Sequence, residues 1–78
     1  PVHLNVTCKL AMVRNSVGAN SYVADELLTG RSGVRVRVTN TDAEGRMAMA
    51  DVLCEMRELA EKSADPKKAR LFTCATLT

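Results

Sequence analysis

Residues 40–46 read Asn-Thr-Asp-Ala-Glu-Gly-Arg, and they join two segments of different hydrophobic period. Before them, Val34, Val36 and Val38 alternate with arginines, which is typical of a strand with one apolar face. After them, apolar residues recur every three or four positions between residues 49 and 60, which predicts a helix with one buried face. The chain therefore changes from strand to helix at a corner that holds two carboxylates and a guanidinium.

Two further strands are predicted near the ends of the chain. Apolar residues occupy every second position from Val2 to Met12, which indicates a half-buried first strand. The more continuously apolar segment from Leu71 to Leu77 is predicted as the last strand, and Asp65-Pro66 is predicted to end the helix before it. Between the first and second strands, Tyr22 to Leu28 is predicted as a short irregular or helical piece, and Gly30 to Gly33 as a turn.

The predicted order is strand, strand, helix, strand, which indicates an α/β fold. A strand-helix-strand unit is right-handed with parallel strands in nearly all known cases. In open α/β sheets, ligands bind at the carboxyl ends of the strands. We therefore expect residues 40–46 and the end of the last strand to share a ligand-bearing edge.

Composition excludes several classes of function. The net charge of the 78 residues is +2, which is too small to indicate a polyanionic partner, and no segment resembles a membrane span or a signal peptide. One Tyr, one Phe and no Trp provide little for stacking on bases, so nucleic-acid binding is not expected. A soluble, intracellular protein is expected, without a nucleic-acid or membrane partner.

Size and residue types at the ends indicate that the chain is a fragment. A chain of this length buries only about 60% of its unfolded surface, so a partner or further chain is expected. The first residue is Pro1, and an apolar strand pattern runs up to Thr78, so both ends look truncated. Cys8, Cys54 and Cys74 lack the close spacing of zinc or redox motifs and are predicted to be reduced and buried. His3 has no neighbouring ligand and is predicted to be solvated.

The corner at residues 40–46 allows two interpretations. Thr41 and Glu44 have the spacing of a capping box, and spacing alone favours that structural role. However, Gly45 in the first turn costs about 1 kcal/mol against Ala and often marks a close approach to the backbone, and the helix dipole disfavours a cation at Arg46. Asp42 and Glu44 could instead bind a metal ion, with Arg46 holding an anion beside it, although two carboxylates do not complete a catalytic metal site.

A basic patch is a separate possibility. The cationic side chains lie on the second strand and after the helix, and they could bind an anion or RNA: Arg31, Arg35, Arg37, Lys67, Lys68 and Arg70. The favoured interpretation is a solvated edge whose charges discourage aggregation between sheets.

The seven-residue run, followed by an apolar helix that contains Ala50-Asp51, closely resembles the signature of the leucyl aminopeptidase family of cytosolic two-metal exopeptidases. The closing segment from Ala75 to Thr78 is similar to the family's Ala-Thr-Leu-Thr-Gly segment without its glycine. Within the family, the chain looks most like the animal branch called probable aminopeptidase-like. It departs from better-known members at Val23-Ala24-Asp25, where they have Pro-Gly-Asp, and around Ala64 to Lys68, where it looks longer. These departures concern substrate preference more than metal binding.

The resemblance implies a fold and a set of roles. Residues 1–78 would be part of a C-terminal catalytic domain of three α/β/α layers with a mixed sheet, truncated at both ends. Asp42 would ligate one of two zinc or manganese ions and Glu44 would bridge them, while Arg46 would hold a bicarbonate-like anion that acts as a general base. Thr76 and Leu77 would line the cleft for the peptide substrate. The whole protein would be a cytoplasmic, homohexameric aminopeptidase.

Two expectations follow from what this chain lacks. The family's other ligands and its catalytic lysine come from a segment upstream of Pro1, so the 78 residues alone are expected to be inactive. The alternative is a non-catalytic assembly or binding protein that keeps the fold, and the upstream ligands would distinguish the two.

Overall fold

The computed structural model describes residues 3–76, which form a small hairpin followed by one long helix. Strand β1 spans Leu27–Thr29 and strand β2 spans Arg35–Arg37. A 3-10 turn at Thr41–Ala43 leads into helix α1 at Glu44–Glu61, and a second 3-10 turn lies at Pro66–Lys68. This combination of strands and a helix agrees with a fragment of an α/β domain.

The hairpin is held by its turn and by the residues that flank its strands. Leu28 lies opposite Val36 in the antiparallel pair. In the turn, the Gly30 N–H donates to the Val34 carbonyl at 2.8 Å, and Gly33 has a φ of +90°, a region in which a residue without Cβ is not strained. Val38, just beyond β2, is 2% exposed and is the buried hydrophobic residue of the described chain. The predicted Val-rich strand and the predicted turn are therefore confirmed.

The prediction of an irregular or helical piece from Tyr22 to Leu28 holds for residues 22–26, which are irregular, and is wrong for Leu27 and Leu28, which belong to strand β1. The strand starts beyond a bend at Asp25, whose φ is +69°. Hydrogen bonding between the two segments continues to the residues before β1 and after β2, since the Val38 N–H donates to the Glu26 carbonyl at 2.9 Å. Pairing with the Val-rich strand thus overrides the local pattern.

The predicted helix is confirmed, although its apolar face is only half-covered. No residue of α1 is fully buried, and Leu59 on that face is 46% exposed. The helix ends at Glu61, before the Asp65-Pro66 pair that the sequence indicates as its stop. The Ser63 hydroxyl and N–H both donate to the Ala60 carbonyl, at 2.7 and 3.2 Å, and so satisfy an acceptor of the last turn.

The two terminal strands do not form within residues 3–76. Apolar residues of the first segment, Leu4, Val6, Leu10 and Met12, are 75–84% exposed, and residues 71–76 have no regular structure. A strand needs a neighbour to complete its hydrogen bonds, and in the described chain the two hairpin strands pair only with each other. The predicted parallel crossover is therefore absent from residues 3–76; Leu77, the end of the predicted last strand, lies outside them.

The predicted burial of the cysteines fails with those strands, whereas their predicted reduced state is confirmed. Cys8 and Cys74 are exposed, contrary to the prediction that they are buried, while Cys54 on helix α1 is half-buried. All three are free thiols. Within the described residues, no helix is long and apolar enough to cross a membrane.

Polar contacts connect the hairpin to the helix. The Arg31 N–H donates to Asp51 Oδ1 at 3.0 Å, and the Arg31 guanidinium donates to Glu58 Oε2 through Nε and Nη2 at 3.0 and 2.9 Å. The hydrogen bond from Arg31 lowers the pKa of the Glu58 carboxyl, against a smaller opposing effect of burial. The turn also approaches the helix closely, since a Cβ on Gly30 would lie 3.3 Å from Asp51 Oδ1.

The same pairing argues against the basic patch. Besides Arg31, Arg37 is paired with Asp25 at 2.9 Å. Near the other end of the chain, Lys68 lies 3.8 Å from Asp65. Three of the six cations of the patch are thus paired with carboxylates, which weakens its attraction for a polyanion, so the solvated-edge interpretation remains the favoured one.

We predict that Asp51→Ala loosens the turn between the strands. Loss of the Arg31 N–H acceptor should lower the local opening free energy by about 1 kcal/mol, or roughly fivefold in exchange rate. Amide hydrogen exchange of residues 30–33 in the full-length protein measures this opening free energy. Asp51→Asn keeps the Oδ1 acceptor and should exchange like the wild type. Equal exchange in Asp51→Ala and the wild type would contradict the assignment.

Candidate metal and anion site

Asn40 shapes the corner between strand and helix. Its backbone is extended, with φ −136° and ψ 109°, and its Oδ1 accepts the Asp42 N–H at 2.9 Å. The Ala43 N–H donates to the Asn40 carbonyl at 3.2 Å and closes the 3-10 turn. This single cap satisfies the start of the turn, as an Asn at an N-cap commonly does.

The capping box between Thr41 and Glu44 is therefore not formed. Helix α1 starts after Ala43, which makes no side-chain cap, and Asn40 supplies the side-chain oxygen. The Glu44 carboxylate accepts from the Asn15 amide through Oε2, and among the described residues it makes no hydrogen bond to a backbone N–H of the turn. The interpretation of Glu44 as part of a capping box is thus wrong. Its carboxylate does not take part in the cap.

Asn15 is the residue that sequence reasoning missed. Its Nδ2 donates to the Thr41 carbonyl at 3.1 Å and to Glu44 Oε2 at 3.0 Å. The sequence marked it only as one of several loop formers, and it lies 29 positions from Glu44. No local pattern connects residues at that separation.

Asp42 and Arg46 are both exposed at the corner. Among the side-chain hydrogen bonds and ion pairs of residues 3–76, none involves the Asp42 carboxylate or the Arg46 guanidinium. A Cβ added to Gly45 would meet nothing within 4 Å, so the close approach that this glycine suggests does not occur within the described chain. The corner thus presents a carboxylate and a guanidinium to its surroundings.

A cavity of about 700 Å³ opens beside the corner. The loop around Asn15, the hairpin and the first half of helix α1 surround it, and Glu44 and Asp51 lie on its wall. Tyr22 also lines the cavity, and its hydroxyl is buried without a hydrogen-bond partner among the described residues. Glu44 itself is half-buried and lies where the cavity meets the corner.

The donor set fits a divalent metal ion in type but is incomplete in number. Carboxylate oxygens suit hard and borderline cations. Within residues 3–76, however, no three His, Cys, Asp or Glu side chains lie close enough to hold a metal ion together. His3 is exposed, as the predicted solvated histidine would be. Any ion held by Asp42 and Glu44 would need further ligands from outside these residues.

The predicted substrate residues are not joined to the corner in the described chain. Thr76 is exposed and has no regular structure, and none of the side-chain hydrogen bonds of residues 3–76 connects it to the corner. Leu77 lies outside the described residues. Their role at the substrate cleft stays a prediction.

Comparison with known proteins gives a consistent result. The model of the cytosol aminopeptidase family, catalytic domain, matches residues 1–78. A Caenorhabditis elegans protein whose name gives it provisionally as an aminopeptidase is 45% identical over 78 residues, which is 100% of this chain and 14% of the relative. Two bacterial proteins are each named "Probable cytosol aminopeptidase". The one from Fusobacterium nucleatum is 51% identical over 63% of this chain and 10% of its own length, and the one from Campylobacter jejuni is 41% identical over 96% and 14%.

No solved structure matches the chain. The chain spans at most 14% of the length of these relatives, so it corresponds to a small part of proteins of their size. A match that runs along every residue, together with 45% identity to a relative over the same span, establishes descent from one family. The chain belongs to the cytosol aminopeptidase family and corresponds to part of its catalytic domain.

Proposed function

We propose that the full-length protein containing this chain is a metal-dependent aminopeptidase that removes N-terminal residues from peptides by a two-metal mechanism. The observation that carries the proposal is the identity of the cap. Because Asn40 satisfies the start of the turn, neither Asp42 nor Glu44 is needed for capping. Two carboxylates and an exposed guanidinium at one corner are then free for another role, and ion binding suits all three.

Each residue of the corner has a distinct part in this proposal. Asp42 and Glu44 would hold the zinc or manganese ions, with Glu44 shared between them. Such ions, when bound, polarise a carbonyl group and lower the pKa of a bound water. Arg46 carries a planar guanidinium that can bind a bicarbonate-like anion through two parallel hydrogen bonds. Thr76 and Leu77 would contact the peptide.

The rest of the proposal concerns the whole protein. The missing metal ligands would come from elsewhere in a three-layer α/β/α domain, of which residues 1–78 are one part. The protein would act in the cytoplasm as a homohexamer. Because the described residues supply only two carboxylates, the second candidate is a non-catalytic assembly or binding protein with the same fold.

We predict that Glu44→Gln in the full-length protein removes at least one metal ion per chain and lowers the hydrolysis of a leucyl chromogenic substrate at least about 100-fold. The amide keeps the size of the side chain but loses the charge, and polarisation by a metal ion is worth several kcal/mol. Elemental analysis after gel filtration gives the metal content.

Glu61→Gln is the matched control, since it makes the same change at the exposed far end of helix α1. It should keep wild-type metal content and turnover. Wild-type metal content in Glu44→Gln would refute the role of Glu44. A wild-type protein that binds no metal and turns over no peptide would favour the non-catalytic candidate.

We also predict that residues 1–78 alone do not cleave peptides, because the donor set of the corner is incomplete. The purified fragment should show no turnover of the leucyl substrate with added zinc or manganese. Turnover that a chelator abolishes would overturn this prediction.

A further inference from the structure

We propose that Asn15 is a positioning residue that fixes the carboxylate of Glu44 relative to the turn that carries Asp42. This inference rests on the proposed metal-binding role of Glu44. Asn15 lies in a loop 29 positions before Glu44 in the sequence. Its role is inferred from the hydrogen bonds that it makes in the structure.

The direction of the Asn15 amide is unambiguous. Its Nδ2 lies 3.1 Å from the Thr41 carbonyl oxygen and 3.0 Å from Glu44 Oε2. A carbonyl and an ionised carboxylate can only accept, so the NH₂ group and not the amide oxygen must face them. The two hydrogens of one nitrogen thus join the backbone of the turn to the side chain of the helix.

The hydrogen bond from Asn15 orients the flexible Glu44 side chain and still leaves acceptor positions on its carboxylate unused. A glutamate loses substantial rotamer entropy when it is immobilised, and a hydrogen bond made beforehand reduces what metal binding must still cost. An ionised carboxylate offers about four lone-pair positions, and Asn15 occupies one of them. Both oxygens of Glu44 therefore keep positions for metal ions.

The partner of Glu44 carries no charge, unlike the partners of three other carboxylates of the chain. Glu58 is paired with Arg31, Glu55 with Lys9, and Asp25 with Arg37. Each of these carboxylates is neutralised by a cation. Glu44 is held by a neutral amide instead, so its negative charge remains available to a cation.

The loop that presents Asn15 is closed by its own hydrogen bonds. The Ser21 hydroxyl donates to the Ser16 carbonyl at 3.1 Å, and the Ser21 N–H donates to the Gly18 carbonyl at 3.1 Å. Asn15 therefore precedes a closed turn. A hydrogen-bond partner of a metal ligand that is held in this way typically contributes 10- to 100-fold to metal affinity.

The test measures metal affinity in the full-length protein by competition with a chelator of known affinity for zinc. Asn15→Ala and the nearly isosteric Asn15→Leu both remove the amide donors, and each should weaken the more weakly held zinc about 10- to 100-fold. Asn20→Ala is the matched control, because Asn20 lies in the same loop and its side chain makes no hydrogen bond within the described residues. It should bind zinc like the wild type.

A double-mutant cycle separates positioning from a general loss of structure. In a Glu44→Gln background, Asn15→Ala should not change the affinity for the remaining zinc ion, because the residue acts through the lost carboxylate. Unchanged affinity in both Asn15 variants would overturn the inference, and so would an equal loss with and without Glu44. If the wild-type protein binds no zinc, the proposed function fails as well. Wild-type binding with unaffected Asn15 variants would refute only the role of Asn15.

Discussion

The hydrogen bond from the Asp42 N–H to Asn40 Oδ1 determines how the corner is used. It ends the extended segment after strand β2 and begins the 3-10 turn, so helix α1 starts at Glu44 with its direction already set. Because one asparagine provides this cap, the Glu44 carboxylate can accept from Asn15 instead. Because neutral Asn40 provides the cap, the charged residues of the corner are not used for capping.

The corner owes its geometry to polar contacts more than to a hydrophobic core. Val38 is the buried hydrophobic residue of the described chain, and the apolar face of helix α1 is half-covered. The radius of gyration is 15.2 Å, whereas a compact chain of this length has one of about 11.5 Å. Hydrogen bonds from Arg31 to Asp51 and Glu58 connect hairpin and helix across an exposed surface. Such contacts are individually weak, so the arrangement depends on several of them together.

Local signals in the sequence predicted the local parts of the fold. The alternation around Val36 and the amphipathic spacing of helix α1 need no distant partner, and both elements formed. The turn after Gly30 was equally predictable, since it depends on a glycine at positive φ. The first and last strands failed for the opposite reason, because a strand exists only with a neighbour to complete its hydrogen bonds, and within residues 3–76 none is present for them.

The candidate site follows the same division. Residues 40–46 carry the resemblance to the family, and Asp42, Glu44 and Arg46 could be chosen from the sequence. Asn15 could not, because its contact with Glu44 spans 29 positions and its residue type is common in loops. The central claim is that this corner holds part of a metal site. Anomalous X-ray scattering at the zinc edge, from crystals of the full-length protein loaded with zinc, tests it most directly. Peaks beside the carboxylates of Asp42 and Glu44 are predicted; in an active, zinc-loaded protein, peaks distant from both would contradict the account.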